Sequence, residues 1–216
     1  MGFYEENRDT VDFLRGKLTP VNTVLILINV VIFLYMLLTG DPADGEYMYA
    51  HGADFWPDVV YRHQYYRLLT SAFLHFGPAH IFNNMIILGF IGDNLERALG
   101  SIKYLIFYLA AAIGSGIVSC IWDMYTQSYS ISAGASGAIF GVVGGILVVL
   151  IENKGHLEDL NVRQVILFAG CSIYYGITSA GIDNAAHIGG FLIGALLALL
   201  MYRKGQRRNQ YSGYYS

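Results

Sequence analysis

The sequence predicts an all-α membrane protein with six spanning helices, on the basis of its composition, the length of its apolar stretches and the distribution of its positive charges. Hydrophobic residues make up 55% of the 216 residues, and charged residues only 13%. Soluble domains carry about 25% charged residues. Mean hydropathy is +0.45, so most of the chain is expected to lie within a lipid bilayer.

The apolar stretches divide the chain into six candidate spans. A membrane-crossing helix needs about 20 mainly apolar residues. Six stretches reach or approach that length: residues 21–38, 73–92, 104–122, 133–151, 165–182 and 185–202. The remainder is connections and tails without room for a second domain, so residues 21–202 are expected to form one helical domain. Residues 1–20 then form a cytoplasmic N-terminal segment, and residues 203–216 form a tail that is first basic and then rich in tyrosine.

The positive charges predict the orientation. Loops on the cytoplasmic side are enriched in Lys and Arg. If the N-terminus is cytoplasmic, all Lys and Arg residues except Arg62 and Arg67 fall on that side. We therefore predict that both termini are cytoplasmic, in a pattern that suits a bacterial plasma membrane. The basic tail has no basic domain behind it, so no nucleic-acid partner is expected.

A serine and a histidine lie inside predicted spans. Ser136 opens the fourth span and His187 opens the sixth. Polar residues at such positions are costly in lipid and are functional candidates by default. Spans two, four and six run in the same direction, so His80, Ser136 and His187 are all expected near the outer ends of their helices, at similar depth.

Helical periodicity places small residues beside this pair. At about 100° per residue, Ser136 shares one face of its helix with other small or aromatic residues: Gly137, Phe140, Gly141 and Gly144. His187 shares a face with Gly190 and Gly194. Such glycines let transmembrane helices approach closely. The alternative interpretation is that these glycines only pack the two helices together. Because they share faces with Ser136 and His187, we predict a hydrogen bond between these two side chains.

His80 and Asn84 extend the predicted site. They lie four residues apart and so share one face of the second span. Amide hydrolysis places negative charge on the carbonyl oxygen, which donors such as the Asn84 amide, a His80 N–H and the backbone N–H of Ser136 can stabilise. The alternative for His80 and Asn84 is a purely structural hydrogen bond between helices.

Two further features receive structural interpretations. Asp183 precedes His187 by one turn, and it is interpreted as the N-cap of the sixth span rather than as a third catalytic residue. The connection formed by residues 40–66 mixes acidic and aromatic residues and is expected to be a lid-like element at the lipid boundary. His51 and His63 within it lack a known ligand spacing, so no metal site is predicted.

Several motifs together resemble the rhomboid family of intramembrane serine proteases, over residues 21–202. They are Gly134-Ala135-Ser136-Gly137, Ala186-His187-Ile188-Gly189-Gly190 followed by Gly194, His75 with His80-x-x-x-Asn84, and Gly92-x-x-x-Glu96-x-x-x-Gly100. Each motif is modest alone. Their order and their placement on the predicted spans make the combination specific.

The resemblance implies a six-helix bundle with a water-filled cavity open to the outer side. Ser136 and His187 would form a catalytic dyad, with His80, Asn84 and Gly134 lining the oxyanion and substrate-binding site. Glu96 would belong to a structural network at the inner end of span two. Substrates would be single-span membrane proteins cut in or near their transmembrane helix, without cofactor or metal.

The chain departs from the family pattern at two positions. The family often has Tyr one turn after the nucleophile, where this chain has Phe140. The ring is retained, so it can still pack on His187. The family's usual Trp-Arg after the first span is Tyr66-Arg67 here. An amphipathic ring is kept, so the connection is still expected to lie partly in the bilayer interface.

The function favoured by these residues is serine endopeptidase activity within the membrane. His187 would take the Ser136 hydroxyl proton, and Ser136 would attack the scissile carbonyl. One alternative is a catalytically inactive rhomboid-like protein that binds membrane proteins. A small polytopic transporter is the other, but no internal repeat of the expected kind is present. The sequence carries no signal for an oligomeric state.

Overall fold

The computed structural model describes residues 18–157, 160–178 and 181–203. This part of the chain is mostly helical, with one pair of short strands. In chain order the helices are α1 (Pro20–Thr39), α2 (Gly45–Ala50), α3 (Trp56–Tyr61), α4 (Arg67–Thr70), a 3-10 turn (Ser71–Phe73), α5 (Pro78–Leu99), α6 (Ser101–Thr126), α7 (Ser136–Glu152), α8 (Val162–Thr178) and α9 (Asn184–Met201). Strands β1 (His156–Leu157) and β2 (Leu160–Asn161) pair antiparallel before α8.

Each of the six predicted apolar stretches overlaps one of the longer helices. Three of these, α1, α6 and α9, are long and apolar enough to cross a membrane by themselves. Helix α5 joins them if it is counted with the bent segment before it, and α7 and α8 are shorter apolar helices. The all-helical fold is therefore confirmed, whereas the count of six spans and the orientation remain predictions.

The second predicted stretch, residues 73–92, is displaced from the helix that the structure contains. Helix α5 begins only at Pro78, because Gly77 adopts a positive φ of 91° and Pro78 occupies the first turn. The segment Arg67–Phe73 meets α5 at an angle of 92°. At its other end α5 continues to Leu99, since the charged residues beyond Gly92 have buried hydrogen-bond partners.

Glu96 is the centre of that buried polar network and is only 2% exposed. Its carboxylate accepts hydrogen bonds from the backbone N–H groups of Val21 and Asn22, at 3.1 and 2.7 Å, and from the Ser101 hydroxyl at 2.6 Å. The first N–H groups of a helix have no partner within the helix. Glu96 thus caps α1 and joins it to α5 and α6, in agreement with the structural role that the resemblance implied.

Helix α7 is the central helix of the bundle. Twelve of its 17 residues are buried, and it contacts α5, α6, α8 and α9. By contrast, α1, α6 and α9 each carry a row of exposed Leu, Ile and Val side chains. Exposed apolar rows suit contact with lipid, and a helix enclosed on all sides need not span the full bilayer.

The connection between α1 and the 3-10 turn is held together by Arg67, which is 5% exposed. Its guanidinium donates to the backbone oxygens of Ala53 and Tyr49, at 2.7 and 2.9 Å, and forms an ion pair with Asp58 at 3.4 Å. Trp56 Nε1 donates to the Ser128 oxygen at 2.6 Å, which fastens the connection to the loop that precedes α7.

The predicted terminal segments fall outside the described ranges. Of residues 1–20 only the last three are described, and of residues 203–216 only Arg203. The interpretation of these segments as cytoplasmic remains a prediction.

Candidate active site

A cavity of about 1240 Å³ lies at the end of the bundle where α7 and α9 begin, which we call the cavity end. Its walls come from α5, α6, α7, α8 and α9 and from the loops beside them. The lining includes all four polar residues that were predicted to share a site: His80, Asn84, Ser136 and His187. Residues more than 100 positions apart in the chain therefore face one space.

The segment Ile131–Ala135 leads directly to Ser136, and we call it the nucleophile segment after the role that the sequence predicts for this serine. Gly134 within it has φ +143°, and a Cβ there would lie 2.7 Å from Cε1 of His80. Only glycine fits both the conformation and the space. The Gly134 N–H donates to the Ser71 oxygen at 2.9 Å, and the Ala135 N–H donates to His75 Nε2 at 3.3 Å.

Ser136 is the first residue of α7. The backbone N–H groups of a first turn lack partners within the helix and favour negative charge nearby. The Ser136 hydroxyl and the His80 ring both lie close to Gly134, at 3.7 and 2.7 Å from the position that a Cβ on this glycine would take. This end of α7 therefore combines a hydroxyl with N–H groups that can donate hydrogen bonds to a negatively charged atom.

His187 lies in the first turn of α9, and its ring stacks on the ring of Phe140. The ring centroids are 4.3 Å apart and the planes are tilted by 13°. His187 is 8% exposed, and its Nδ1 has no hydrogen-bond partner among the described residues. Phe140 therefore takes the position that the retained aromatic ring was expected to take.

The predicted hydrogen bond between Ser136 and His187 is not formed. In the part of the chain that the structure describes, neither side chain takes part in a hydrogen bond with the other, although both line the cavity. The imidazole takes its orientation from the stacked Phe140 ring instead. Catalytic hydrogen bonds are often loose without substrate and tighten only in the complex.

The helices that carry Ser136 and His187 approach each other backbone to backbone. A Cβ at Gly190 would overlap the carbonyl oxygen of Gly137, and a Cβ at Gly194 would overlap that of Gly141. Pairing in this order means that α7 and α9 run parallel. We call this line of contact the glycine seam. It lies directly below Ser136 and His187 and sets the distance between their helices.

Asn84 supplies an unused donor to the cavity. It is 5% exposed, and its Nδ2 has no acceptor among the described residues. His80 lies one turn away on α5, with its ring 5.1 Å from the ring of His75 in an edge arrangement. A buried amide without a partner is costly, so its position favours a role toward a bound group.

Asp183 caps α9, as the sequence predicted. Its Oδ1 accepts a hydrogen bond from the Ala186 N–H at 2.8 Å. Its Oδ2 also accepts from the hydroxyls of Ser119 and Ser132, at 2.5 and 2.6 Å. These two serines were missed by the sequence analysis, because no periodic pattern links them to Ser136 or His187.

Asp54 lies at the edge of the same cavity and is 4% exposed. Its Oδ1 accepts from the Cys120 thiol at 3.2 Å. Burial raises the pKa of the Asp54 carboxyl to about 6, and the negative charge of Asp183 acts in the same direction. Its backbone pairs with that of Ser132, so it also restrains the nucleophile segment.

Metal ligands are not grouped in the described residues. No set of three or more His, Cys, Asp or Glu side chains there has the arrangement of a metal site. The predicted site residues offer the cavity a hydroxyl, two imidazoles, an amide and backbone N–H groups, and the carboxyls of Asp54 and Asp183 also line it.

Comparison with known proteins identifies the family. Residues 62–204 match the model of the rhomboid domain. The chain belongs to the rhomboid family. It is 35% identical over 197 residues to the rhomboid protease GluP of Bacillus subtilis, which covers 90% of this chain and 37% of GluP. With the rhomboid protease AarA of Providencia stuartii it shares 30% identity over 198 residues, 81% of this chain and 70% of AarA.

A plant relative also matches. The RHOMBOID-like protein 7 of Arabidopsis thaliana is 36% identical over 151 residues, 69% of this chain and 47% of that protein. The chain thus spans less than half the length of two of these three relatives. Membership of the rhomboid family, together with the apolar helices, establishes an integral membrane protein.

Both departures from the family pattern have a structural account in this rhomboid domain. Phe140 keeps a flat ring against His187. Arg67 lies 4.5 Å from the ring centre of Tyr49 and 5.6 Å from that of Tyr66. The Tyr66-Arg67 pair therefore retains an aromatic contact with a buried guanidinium.

Proposed function

We propose that this protein is an intramembrane serine endopeptidase in which Ser136 is the nucleophile and His187 the general base. The observation that carries the proposal is that both side chains line one cavity, at the starts of two parallel helices in backbone contact. Relatives that carry the name rhomboid protease support the reaction class.

The reaction would proceed through an acyl-enzyme. The His187 imidazole accepts the proton of the Ser136 hydroxyl as its oxygen forms a bond to the scissile carbonyl carbon. The resulting imidazolium then gives this proton to the leaving amine as the C–N bond breaks. Water entering the cavity attacks the ester, with His187 again as base, and regenerates Ser136.

Developing charge on the carbonyl oxygen would be stabilised by the donors beside Ser136. Asn84 Nδ2, a His80 N–H and the backbone N–H of Ser136 are the proposed donors, and Gly134 leaves the space between them open. A single aimed donor of this kind typically contributes about 3 to 4 kcal/mol to lowering the barrier. The buried and unpaired amide of Asn84 supports this role.

We further propose six membrane spans, with the cavity end facing outward and both termini in the cytoplasm. Helix α7 has 17 residues, which gives a length of about 25 Å, less than the roughly 30 Å hydrocarbon thickness. Its start can therefore lie below the membrane surface and be reached by water. Lys103, Lys154 and Arg163 lie toward the opposite end, as a cytoplasmic face requires.

The proposed substrates are single-span membrane proteins that enter between α5 and α8. These helices border a second, apolar space of about 350 Å³ that is lined by Ile86, Ile87 and Phe168, residues that also line the cavity. A lipid-facing opening of this chemistry suits an apolar helix that unwinds as it reaches Ser136. The membrane would be a bacterial plasma membrane.

The test is cleavage of a single-span reporter by the full chain reconstituted in liposomes. Ser136→Ala and His187→Ala should each abolish cleavage, whereas Ser130→Ala removes an exposed hydroxyl that binds Asp123 at 2.6 Å and should retain it. A fluorophosphonate should label the wild type and Ser130→Ala but not Ser136→Ala. Equal cleavage by the wild type and Ser136→Ala would exclude this mechanism.

The same experiment separates the proposal from an inactive family member. A wild type that binds the reporter but neither cleaves it nor reacts with the fluorophosphonate would favour the rhomboid-like binding protein. The unformed hydrogen bond between Ser136 and His187 is the observation that keeps this second function in view.

A further inference from the structure

Asp183 is the point at which three parts of the molecule meet. One oxygen accepts from the Ala186 N–H, one residue before His187. The other accepts from Ser119 on α6 and from Ser132 in the nucleophile segment. A carboxylate has two oxygens and about four acceptor positions, so it can hold these three donors at once.

Apart from the bond between the Ala135 oxygen and the Ile139 N–H of α7, the other hydrogen bonds of the nucleophile segment lead away from α9. The Ser132 backbone pairs with Asp54, the Gly134 N–H binds the Ser71 oxygen, and the Ala135 N–H binds His75. These partners belong to the connection after α1 and to the region before α5. Among the described residues, Asp183 provides the hydrogen bond from this segment to the helix that carries His187.

We propose that Asp183 is a positioning residue that holds the nucleophile segment against the start of α9 and thereby sets the separation of Ser136 and His187. The proposal rests on the proposed function. Ser132 precedes Ser136 by four residues, and Asp183 precedes His187 by four. One carboxylate thus restrains both catalytic residues from equivalent distances along the chain.

The arrangement differs from a catalytic triad. In a triad the carboxylate binds the imidazole, whereas both oxygens of Asp183 are engaged by other donors. His187 has no hydrogen bond at Nδ1 in the described structure. Hydrogen bonds to a carboxylate are shorter and stronger than those between neutral groups. The three hydrogen bonds of Asp183, which we call the junction, are therefore suited to holding the nucleophile segment and the start of α9 in place.

A rival explanation is that Asp183 only caps α9. Serine is as good an N-cap as aspartate, but it offers a single short side chain and cannot reach Ser119 and Ser132 as well. Asp183→Ser should therefore keep the cap and lose the junction. Asparagine has the size of aspartate, and its NH₂ can donate to hydroxyls that rotate to accept, so Asp183→Asn should keep both.

The experiment compares these two variants with the wild type, as full chains in the same membrane mimetic. Asp183→Ser should lower kcat for the reporter by roughly tenfold to a hundredfold, because small misplacements of catalytic groups have effects of that order. KM should change less than about twofold, since substrate contacts are retained. Asp183→Asn should remain within about threefold of wild type in both constants.

Hydrogen exchange provides a readout that does not depend on cleavage. Exchange of the Ser132, Gly134 and Ala135 amides in Asp183→Ser should rise by about tenfold or more, with little change in α5 and α6, because local opening becomes easier. Asp123→Ser is the matched control, since Asp123 accepts a hydrogen bond from Ser130 in the same loop but makes none with the nucleophile segment. Exchange of the Ser132, Gly134 and Ala135 amides in Asp123→Ser should match that in the wild type.

Each outcome decides the proposal. Unchanged exchange and kcat in Asp183→Ser would overturn it. A uniform rise in exchange throughout α7 and α9, seen in Asp183→Ser and Asp183→Asn alike, would also overturn it, because that pattern belongs to a general structural role. If the wild type shows no cleavage that depends on Ser136, the proposed function fails. Exchange in the nucleophile segment then still decides whether Asp183 holds it.

Discussion

Two pairs of helices beside the cavity pack in opposite ways: α7 and α9 are in close contact, whereas α5 and α8 are not. Along the glycine seam the backbone of α7 touches that of α9, with no side chain between Gly137 and Gly190 or between Gly141 and Gly194. On the other side of the cavity, α5 and α8 do not pack closely in the described structure. They border an apolar space of about 350 Å³ instead.

The difference separates two requirements of the proposed reaction. Catalytic groups must be held within a fraction of an ångström, which backbone contact between helices provides. A helical substrate needs an opening that bulky but movable side chains can close, and the gap between α5 and α8 provides that. Changes along the seam should therefore affect chemistry, whereas changes at the gap should affect access.

The largest effect is expected from Gly190→Ala. The added methyl group would overlap the Gly137 carbonyl oxygen, so α7 and α9 must separate. We expect cleavage to fall by about a hundredfold or more, since displacement of reacting groups by an ångström has such effects. Overpacking should also destabilise the fold by about 1 to 3 kcal/mol. Reporter cleavage and thermal unfolding in detergent measure these two effects.

Gly170→Ala is the matched control on the open side. A Cβ at Gly170 of α8 has no atom within 4 Å in its described surroundings. Cleavage and the unfolding midpoint should both stay close to wild type. If Gly190→Ala behaves like Gly170→Ala, the seam does not set the catalytic geometry.

A smaller effect is expected from Phe140→Leu. Leucine keeps apolar volume but loses the flat face that stacks on His187 at 4.3 Å. Stacked aromatic pairs contribute about 0.5 to 1.5 kcal/mol beyond burial, which corresponds to a decrease in kcat of up to roughly tenfold. Phe140→Tyr retains the ring and should stay near wild type. Equal activity of the leucine and tyrosine variants would show that stacking does not orient His187.

The glycine seam was visible in the sequence because its information is local. Residues four apart on a helix lie on one face, so Gly137 with Gly141 and Gly190 with Gly194 could be matched without knowing the fold. The meeting of His80, Ser136 and His187 at one cavity followed from the order of the spans. Their catalytic roles remain predictions.

Other features depend on the paths of loops and could not be predicted. The bond from Ser132 to Asp183 joins residues whose approach is set by the whole connection between α6 and α7. The late start of α5 reflects a bend at Gly77, which hydropathy does not record, although the dipeptide Gly77-Pro78 is itself a turn signal. The unformed hydrogen bond between Ser136 and His187 depends on side-chain orientation, which no spacing rule specifies.

A modest effect in the opposite direction is expected from Phe168→Ala at the gap. Phe168 lines both the cavity and the apolar space beside it, so its removal should ease substrate entry. Where opening limits turnover, reporter cleavage should rise by about two- to fivefold. Leu167→Ala, at a neighbouring residue that is 65% exposed, is the control. A parallel rise in fluorophosphonate labelling would indicate altered chemistry instead of altered access.

The smallest effect concerns Asp54, whose backbone pairs with that of Ser132 in the nucleophile segment. Because burial raises its pKa to about 6, folded Asp54 binds a proton more readily than unfolded Asp54, whose pKa is near 3.8. Its contribution to stability is therefore complete below the unfolded pKa and is lost as the pH rises through 6. From pH 5 to pH 7.5 the free energy of unfolding should fall by about 1 kcal/mol on this account.

Asp54→Asn isolates that contribution. The amide does not titrate, and its oxygen can still accept from the Cys120 thiol, so the variant should lose about 1 kcal/mol of the pH dependence between pH 5 and pH 7.5. Thermal unfolding at both pH values measures the difference. A pH dependence that is identical in Asp54→Asn and wild type would mean that the Asp54 carboxyl has the same pKa in the folded and unfolded states.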